Sequence, residues 1–203
     1  MKFLLGVLFG FFLVVAGAAV VVFTGAFNTA ATVPVGKMEE EIAELVLNRS
    51  IAKRAPDKKI PFPASAEALR EGLTHYRENC LVCHGAPGVD AGEIGSGLNP
   101  APPDLTLPKV QARSDGDLFW LTSEGIRMTG MPAFSPTHSE EEIWRIVAFL
   151  RHLPELTDQE QTLLREERSQ EHHHEPAGTG VPAGETEKKE EHSHAPGTPP
   201  HKD

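Results

Sequence analysis

Cys80-Leu-Val-Cys83-His84 holds both cysteines of a 203-residue chain, with a histidine directly after the second. Four chemistries use such a pair. A structural zinc site needs four ligands, commonly from two such pairs, and the chain has no second pair. A redox dithiol of the thioredoxin kind needs a βαβ setting, and no strand of any length is expected nearby. A disulfide across two intervening residues would close too short a loop to stabilise much. Covalent haem attachment fits best. Two thiols form thioethers with the haem vinyl groups, and the adjacent histidine reaches the iron from the same turn. The expected cofactor is therefore one covalent haem c, attached by Cys80 and Cys83, with His84 as an axial ligand of the iron.

The iron then needs a sixth ligand or an open face. Two methionines lie in "GIRMTGMPAF", residues 125–134. Met131 sits in Gly-Met-Pro, where glycine allows close backbone approach and proline stiffens the exit. Met128 lacks that setting. Met131 is thus the expected ligand, and packing is the alternative role for either methionine. Two histidines are weaker candidates: His75 is expected to face solvent, and His138 to sit beside a helix cap.

Three helices are expected to position these residues. The first starts at the N-cap Ser65, carries Leu69, Gly72, Leu73 and Tyr76 on one face, and runs into the cysteines. The second opens at Ser114 with Asp117 at the capping-box position and ends at Gly125, where a left-handed cap is expected. The third opens at Ser139 with Glu142 at the box position. Its apolar face is Ile143, Ile146, Val147 and Leu150, and Pro154 stops it. Residues 85–113 between the first two are rich in glycine and proline. A structureless stretch of that length usually wraps something.

Before this domain, Phe3–Phe27 carries no charge. The run exceeds the roughly 20 residues a helix needs to cross a bilayer. It is also longer than the apolar core of a secretory signal, roughly 7–15 residues, so an uncleaved anchor is preferred to a cleaved leader. Lys2 and Lys37 flank it and barely set its orientation. Haem is attached outside the cytoplasm, so either form of this segment supplies the export that the motif demands. Lys37–Arg54 repeats Ile42, Leu45, Val46 and Ile51 at helical spacing and reads as an amphipathic stalk, followed by a Pro-rich linker. The expected organisation is an anchor or signal over 1–36, stalk and linker over 37–63, the haem domain over 64–156, and a short helix with a His-rich tail over 157–203. A helix is expected over Thr157–Arg168 and disorder from Ser169 onward. Six of the ten histidines (172, 173, 174, 192, 194 and 201) lie in the tail, and loose metal binding there is the less favoured reading. The net charge of −10 argues against nucleic-acid partners and suits partners with basic faces.

Residues 65–154 resemble a class I c-type cytochrome, which is small, all-helical and carries one haem. The resemblance rests on "CLVCH", the proline-bearing "NPAPPDL", "TGMPAF" and the terminal helix "EEIWRIVAFLRHL", in that order. It implies an all-α fold in which Gly72 and Tyr76 cross Ile146 and Phe149. It also implies that His84 donates its second ring proton to the carbonyl of Pro102 or Pro103. Trp120 and Trp144 are expected to pack in the core or on the haem. The anchor and "GIRMTGMPAF" are similar to bacterial membrane-tethered monohaem cytochromes. The implied function is one-electron transfer, not enzyme catalysis. It would operate in a bacterial respiratory or periplasmic chain, with the domain on the periplasmic side of the inner membrane and redox proteins as partners. The rival readings are an open-site haem protein acting as gas sensor or peroxidase, and an electron-entry subunit of a periplasmic dehydrogenase or oxidase complex.

Overall fold

The computed structural model describes residues 2–63 and 65–171. Its order of elements is α1 (Lys2–Thr24), α2 (Lys37–Arg54), α3 (Ala66–Asn79), α4 (Leu81–His84), α5 (Glu93–Ser96), α6 (Pro108–Gln111), α7 (Asp115–Glu124), α8 (Glu140–His152), a 3₁₀ turn (Leu153–Glu155) and α9 (Asp158–Glu171). Among the described residues there is no strand, only one isolated bridge, Ala86 to Val89. The fold is all-α, as expected.

The helix starts follow from serine caps. Ser65 Oγ accepts from Ala68 N at 3.1 Å. Ser114 and Ser139 both form complete capping boxes, with Asp117 and Glu142 reaching back to the cap amides. Gly125 ends α7 with φ +65°, but its ψ of −170° makes it an extended glycine and not a left-handed helical cap. A side chain there would meet Pro132 and Ala133, so glycine is required by close approach as well as by φ.

The core forms where α3 crosses α8. Leu73 and Tyr76 from α3 pack with Ile146, Phe149 and Leu150 from α8. Tyr76 and Phe149 rings lie 5.3 Å apart, and the Tyr76 hydroxyl donates to Gly85 O at 2.5 Å, so a core residue also holds the turn after His84. A second cluster joins Val110, Leu118, Trp144 and Val147, with Phe119 stacked on Trp144 at 4.3 Å. Arg151, near the end of α8, ties α8 to the start of α7. It donates to Asp115 Oδ1 at 2.8 Å, Gln111 O at 2.6 Å and Arg113 O at 2.5 Å.

The packed unit is wider than residues 64–156. Leu164 on α9 is fully buried in the first cluster, and Ile60 and Phe62 lie against the second. The expected trailing helix forms but continues to Glu171, past Ser169, where disorder was expected to begin. The six tail histidines lie outside the described residues.

α2 has the expected limits, yet it is not amphipathic in the sense of burying a stripe. Ile51 is buried, while Ile42, Leu45 and Val46 are exposed, because only the C-terminal end of α2 reaches α7. There Arg113 donates to Asn48 Oδ1 at 3.0 Å. α1 is the one described helix long and apolar enough to cross a membrane; a signal sequence has the same features. At about 1.5 Å per residue its 23 residues measure about 34 Å, against a hydrocarbon core of about 30 Å.

Candidate functional site

α3 stops one residue before the cysteines, and Cys80 is shared between its C-cap and the start of α4. The amides of Cys83 and His84 both donate to Cys80 O, at 3.1 and 2.9 Å. This single turn places Cys80 and His84 about one helical turn apart on one side. Gly85, at φ +61°, then reverses the chain, and a Cβ there would meet Val89 O at 2.5 Å. The two cysteines are free thiols, which excludes the disulfide reading in this structure. Burial pushes the Cys80 thiol up to about 12, with Cys83 adding to the effect, and burial also raises Cys83. Both shifts favour the protonated thiol.

His84 Nδ1 lies 2.9 Å from Pro103 O. A carbonyl only accepts, so Nδ1 carries the proton and Nε2 keeps its lone pair. Burial pushes the His84 pKa below its ordinary value, against the pull of the Pro103 bond, and the neutral form that a metal requires is favoured. Of the two prolines expected as partner, Pro103 makes the bond and Pro102 lines the cleft beside it.

Both cysteines, His84 and Met131 line one cleft. It contains about 470 Å³ of empty space, part of it continuous with solvent. Its walls are Leu98, Phe134, Ile146 and Leu150, with Asn79 and Thr122 the polar additions. Met131 is held by its loop. Its amide donates to Thr129 Oγ1 at 3.1 Å, its carbonyl accepts from Ile126 N at 3.2 Å, and Thr129 Oγ1 donates to Ile126 O at 2.7 Å. Met128 is 92 % exposed at φ +62° and takes no part. Two thiols, an imidazole with a free lone pair and a thioether in a mostly apolar cleft suit the attachment and axial ligation of a haem. Among the described residues no group of three or more His, Cys, Asp or Glu is placed to hold a metal ion by itself.

Neither His75 nor His138 lines this cleft. His75 does not face solvent as expected. It is half-buried, its ring 5.3 Å from that of His138 and its Nε2 3.9 Å from Glu142. His138 in turn stands edge-on to Phe134 at 5.4 Å. Trp144 is a core residue, and Trp120 is absent from the cleft wall. Sequence reasoning missed Leu98, Asn79 and Thr122. Thr122 bonds back to Leu118 O at 2.9 Å, and its own carbonyl accepts from Phe134 N, a pairing with no local signature.

Residues 67–150 match the family model described as cytochrome C oxidase, cbb3-type, subunit III. No curated protein matches the chain. Residues 67–150 thus form a c-type cytochrome domain, a haem-based electron-transfer module whose cofactor is covalently bound haem c.

Proposed function

We propose that this chain is a membrane-anchored one-electron carrier of a bacterial respiratory or periplasmic chain, in which Cys80 and Cys83 attach the haem and His84 and Met131 are its axial ligands. The observation that carries the proposal is the meeting of both thiols, His84 and Met131 on one cleft. When bound, haem c supplies an iron that takes up and releases one electron. The bond to Pro103 O holds the His84 ring in one orientation and leaves Nε2 as its only basic nitrogen. Met131 brings a soft thioether, and a Met/His pair raises the potential above that of two histidines. Phe134, Ile146 and Leu150 give the cleft an apolar wall, which favours the less charged state of a group packed against it.

Besides the two thiols and His84, the described lining offers no titratable side chain. In this reading α1 stays as a single-pass anchor in the inner membrane and residues 64–156 face the periplasm. The anchor raises the domain's effective concentration near membrane partners. The chain's net charge of −10 favours partners with basic docking faces and an encounter that weakens with salt.

The test is an absorption spectrum of the matured protein, oxidised and reduced, with and without carbon monoxide. A low-spin spectrum with the weak methionine-to-iron band and no response to carbon monoxide is expected. Rapid carbon monoxide binding would mean an open sixth position and overturn the His/Met reading.

A further inference from the structure

The segment between α1 and α2 is tied to the haem domain. Asn99 Nδ2 donates to Ala31 O at 3.0 Å and to Val33 O at 2.6 Å. The segment is folded to receive it: Val33 N donates to Ala30 O at 3.0 Å, and Ala30 N to Asn28 Oδ1 at 3.0 Å. Asn99 directly follows Leu98, which lines the cleft. Leu98 in turn lies against Gly130, where an added Cβ would sit 2.5 Å from Leu98 Cδ2. Gly130 precedes Met131. The strap is therefore fastened to the rim of the cleft, on the side of the methionine loop.

This attachment limits how far that rim can stand from the bilayer. α1 ends at Thr24, and its length matches the hydrocarbon core, so Thr24 falls at the membrane surface when α1 spans it. The step from Thr24 to Ala31 is seven residues, which reach at most about 25 Å fully extended. A small folded domain is about 30 Å across. A freely diffusing protein has too little room to enter between this rim and the lipid. The large apolar residues exposed near the rim fit an apolar contact: Met128 is 92 % exposed on the methionine loop, and Ile94 is 66 % exposed on α5, the helix packed against Cys83.

We propose that the Asn99 strap makes the Leu98–Met131 rim a membrane-facing docking surface, and that the redox partner it serves is a protein embedded in the same bilayer. The proposal rests on the reading above, in which α1 remains as an anchor and the cleft holds the haem. A partner in the bilayer reaches the rim from below without crossing the narrow gap.

The test uses the full haem-loaded chain in liposomes. The reduced protein is oxidised in stopped flow by two probes, ferricyanide and a soluble blue-copper protein. Two variants are compared with the wild type. Asn99→Ala removes the strap, and a ten-residue Gly-Ser insertion after Gly25 lengthens the tether but leaves Asn99 in place. Oxidation by the copper protein is expected to be slow in the wild type and several-fold faster in both variants, with ferricyanide rates unchanged. If Asn99→Ala misfolds, the insertion decides alone. A copper-protein rate unaffected by the insertion would overturn the proposal. The two readings fail differently: a wild type whose spectrum shows an open iron, or which does not float with the liposomes, defeats the functional reading, whereas a normal, membrane-bound carrier with equal rates in all forms defeats only the strap.

Discussion

Gly72 on α3 lies so close to Phe149 on α8 that a Cβ added to it would stand 2.8 Å from the Phe149 Cβ, and it would also strike the carbonyl oxygen of Arg145. Two helices can approach this closely only where one of them has no side chain. The crossing matters for the site, because α3 delivers the cysteines and α8 supplies the cleft wall residues Ile146 and Leu150.

Gly72→Ala is expected to destabilise the protein. Alanine gains about 1 kcal/mol of helix propensity over glycine. The obstacle, however, is backbone and a Cβ on α8, neither of which can rotate away, and overpacking of this kind costs about 1–3 kcal/mol. The clash should win, with a lower melting temperature in thermal unfolding of the haem-loaded protein. An unchanged or raised melting temperature would show that the helices separate freely.

Cys80→Ser and Cys83→Ser should each lower the yield of covalent haem, and whatever haem remains should be held by one thioether. The reduced pyridine complex of such a haem keeps one vinyl group, so its absorption band moves to longer wavelength. Cys80 is the more buried of the two thiols, and its loss should also leave a polar hydroxyl against the α3–α8 core. Unchanged covalent haem in both variants would place the attachment elsewhere.

The features readable in the sequence were those whose cause is local. The capped starts at Ser65, Ser114 and Ser139 depend on residues three apart, and the Cys80–His84 turn on five consecutive residues. Met131 was distinguishable from Met128 because its glycine and proline neighbours act on the adjacent backbone. The unreadable features depend on distant segments. The stripe Ile42, Leu45 and Val46 has helical spacing, but spacing does not say that α2 would reach α7 only near Ile51. His75 was misplaced because its surroundings come from His138 and Glu142, more than sixty residues away. The strap is the extreme case: one asparagine amide on two carbonyl oxygens leaves no periodicity or motif in the chain.

Met131→Ala should open the sixth position of the iron. The weak methionine-to-iron band of the oxidised protein should vanish, carbon monoxide should bind the reduced form, and the reduction potential should fall. Met128→Ala should change none of these, because Met128 stands 92 % exposed outside the cleft. Spectra and a redox titration of the two variants side by side check the assignment, and a reversed pattern would exchange the two residues.

Acid should release α9 before it unfolds the α3–α8 crossing. Burial pushes the Glu160 carboxyl up, but bonds from Thr157 N and Thr157 Oγ1, both 2.8 Å, and His152 Nε2 at 3.0 Å outweigh it, so the group sits below its ordinary value of 4.5. A carboxylate whose folded pKa is depressed stabilises the fold fully above the unfolded value and loses that contribution as pH falls through the folded one. The N-cap interaction it makes is worth about 1 kcal/mol. Leu164 in the core and Arg165 Nε on Gly88 O at 3.4 Å also hold α9. Amide hydrogen exchange over residues 158–166 should therefore accelerate, relative to that of α8, as pH falls below the group's ordinary value of 4.5. Glu160→Gln should show the faster exchange already at the higher pH and little further change on acidification. If wild type and variant respond alike to acid, the carboxylate does not govern the docking of α9.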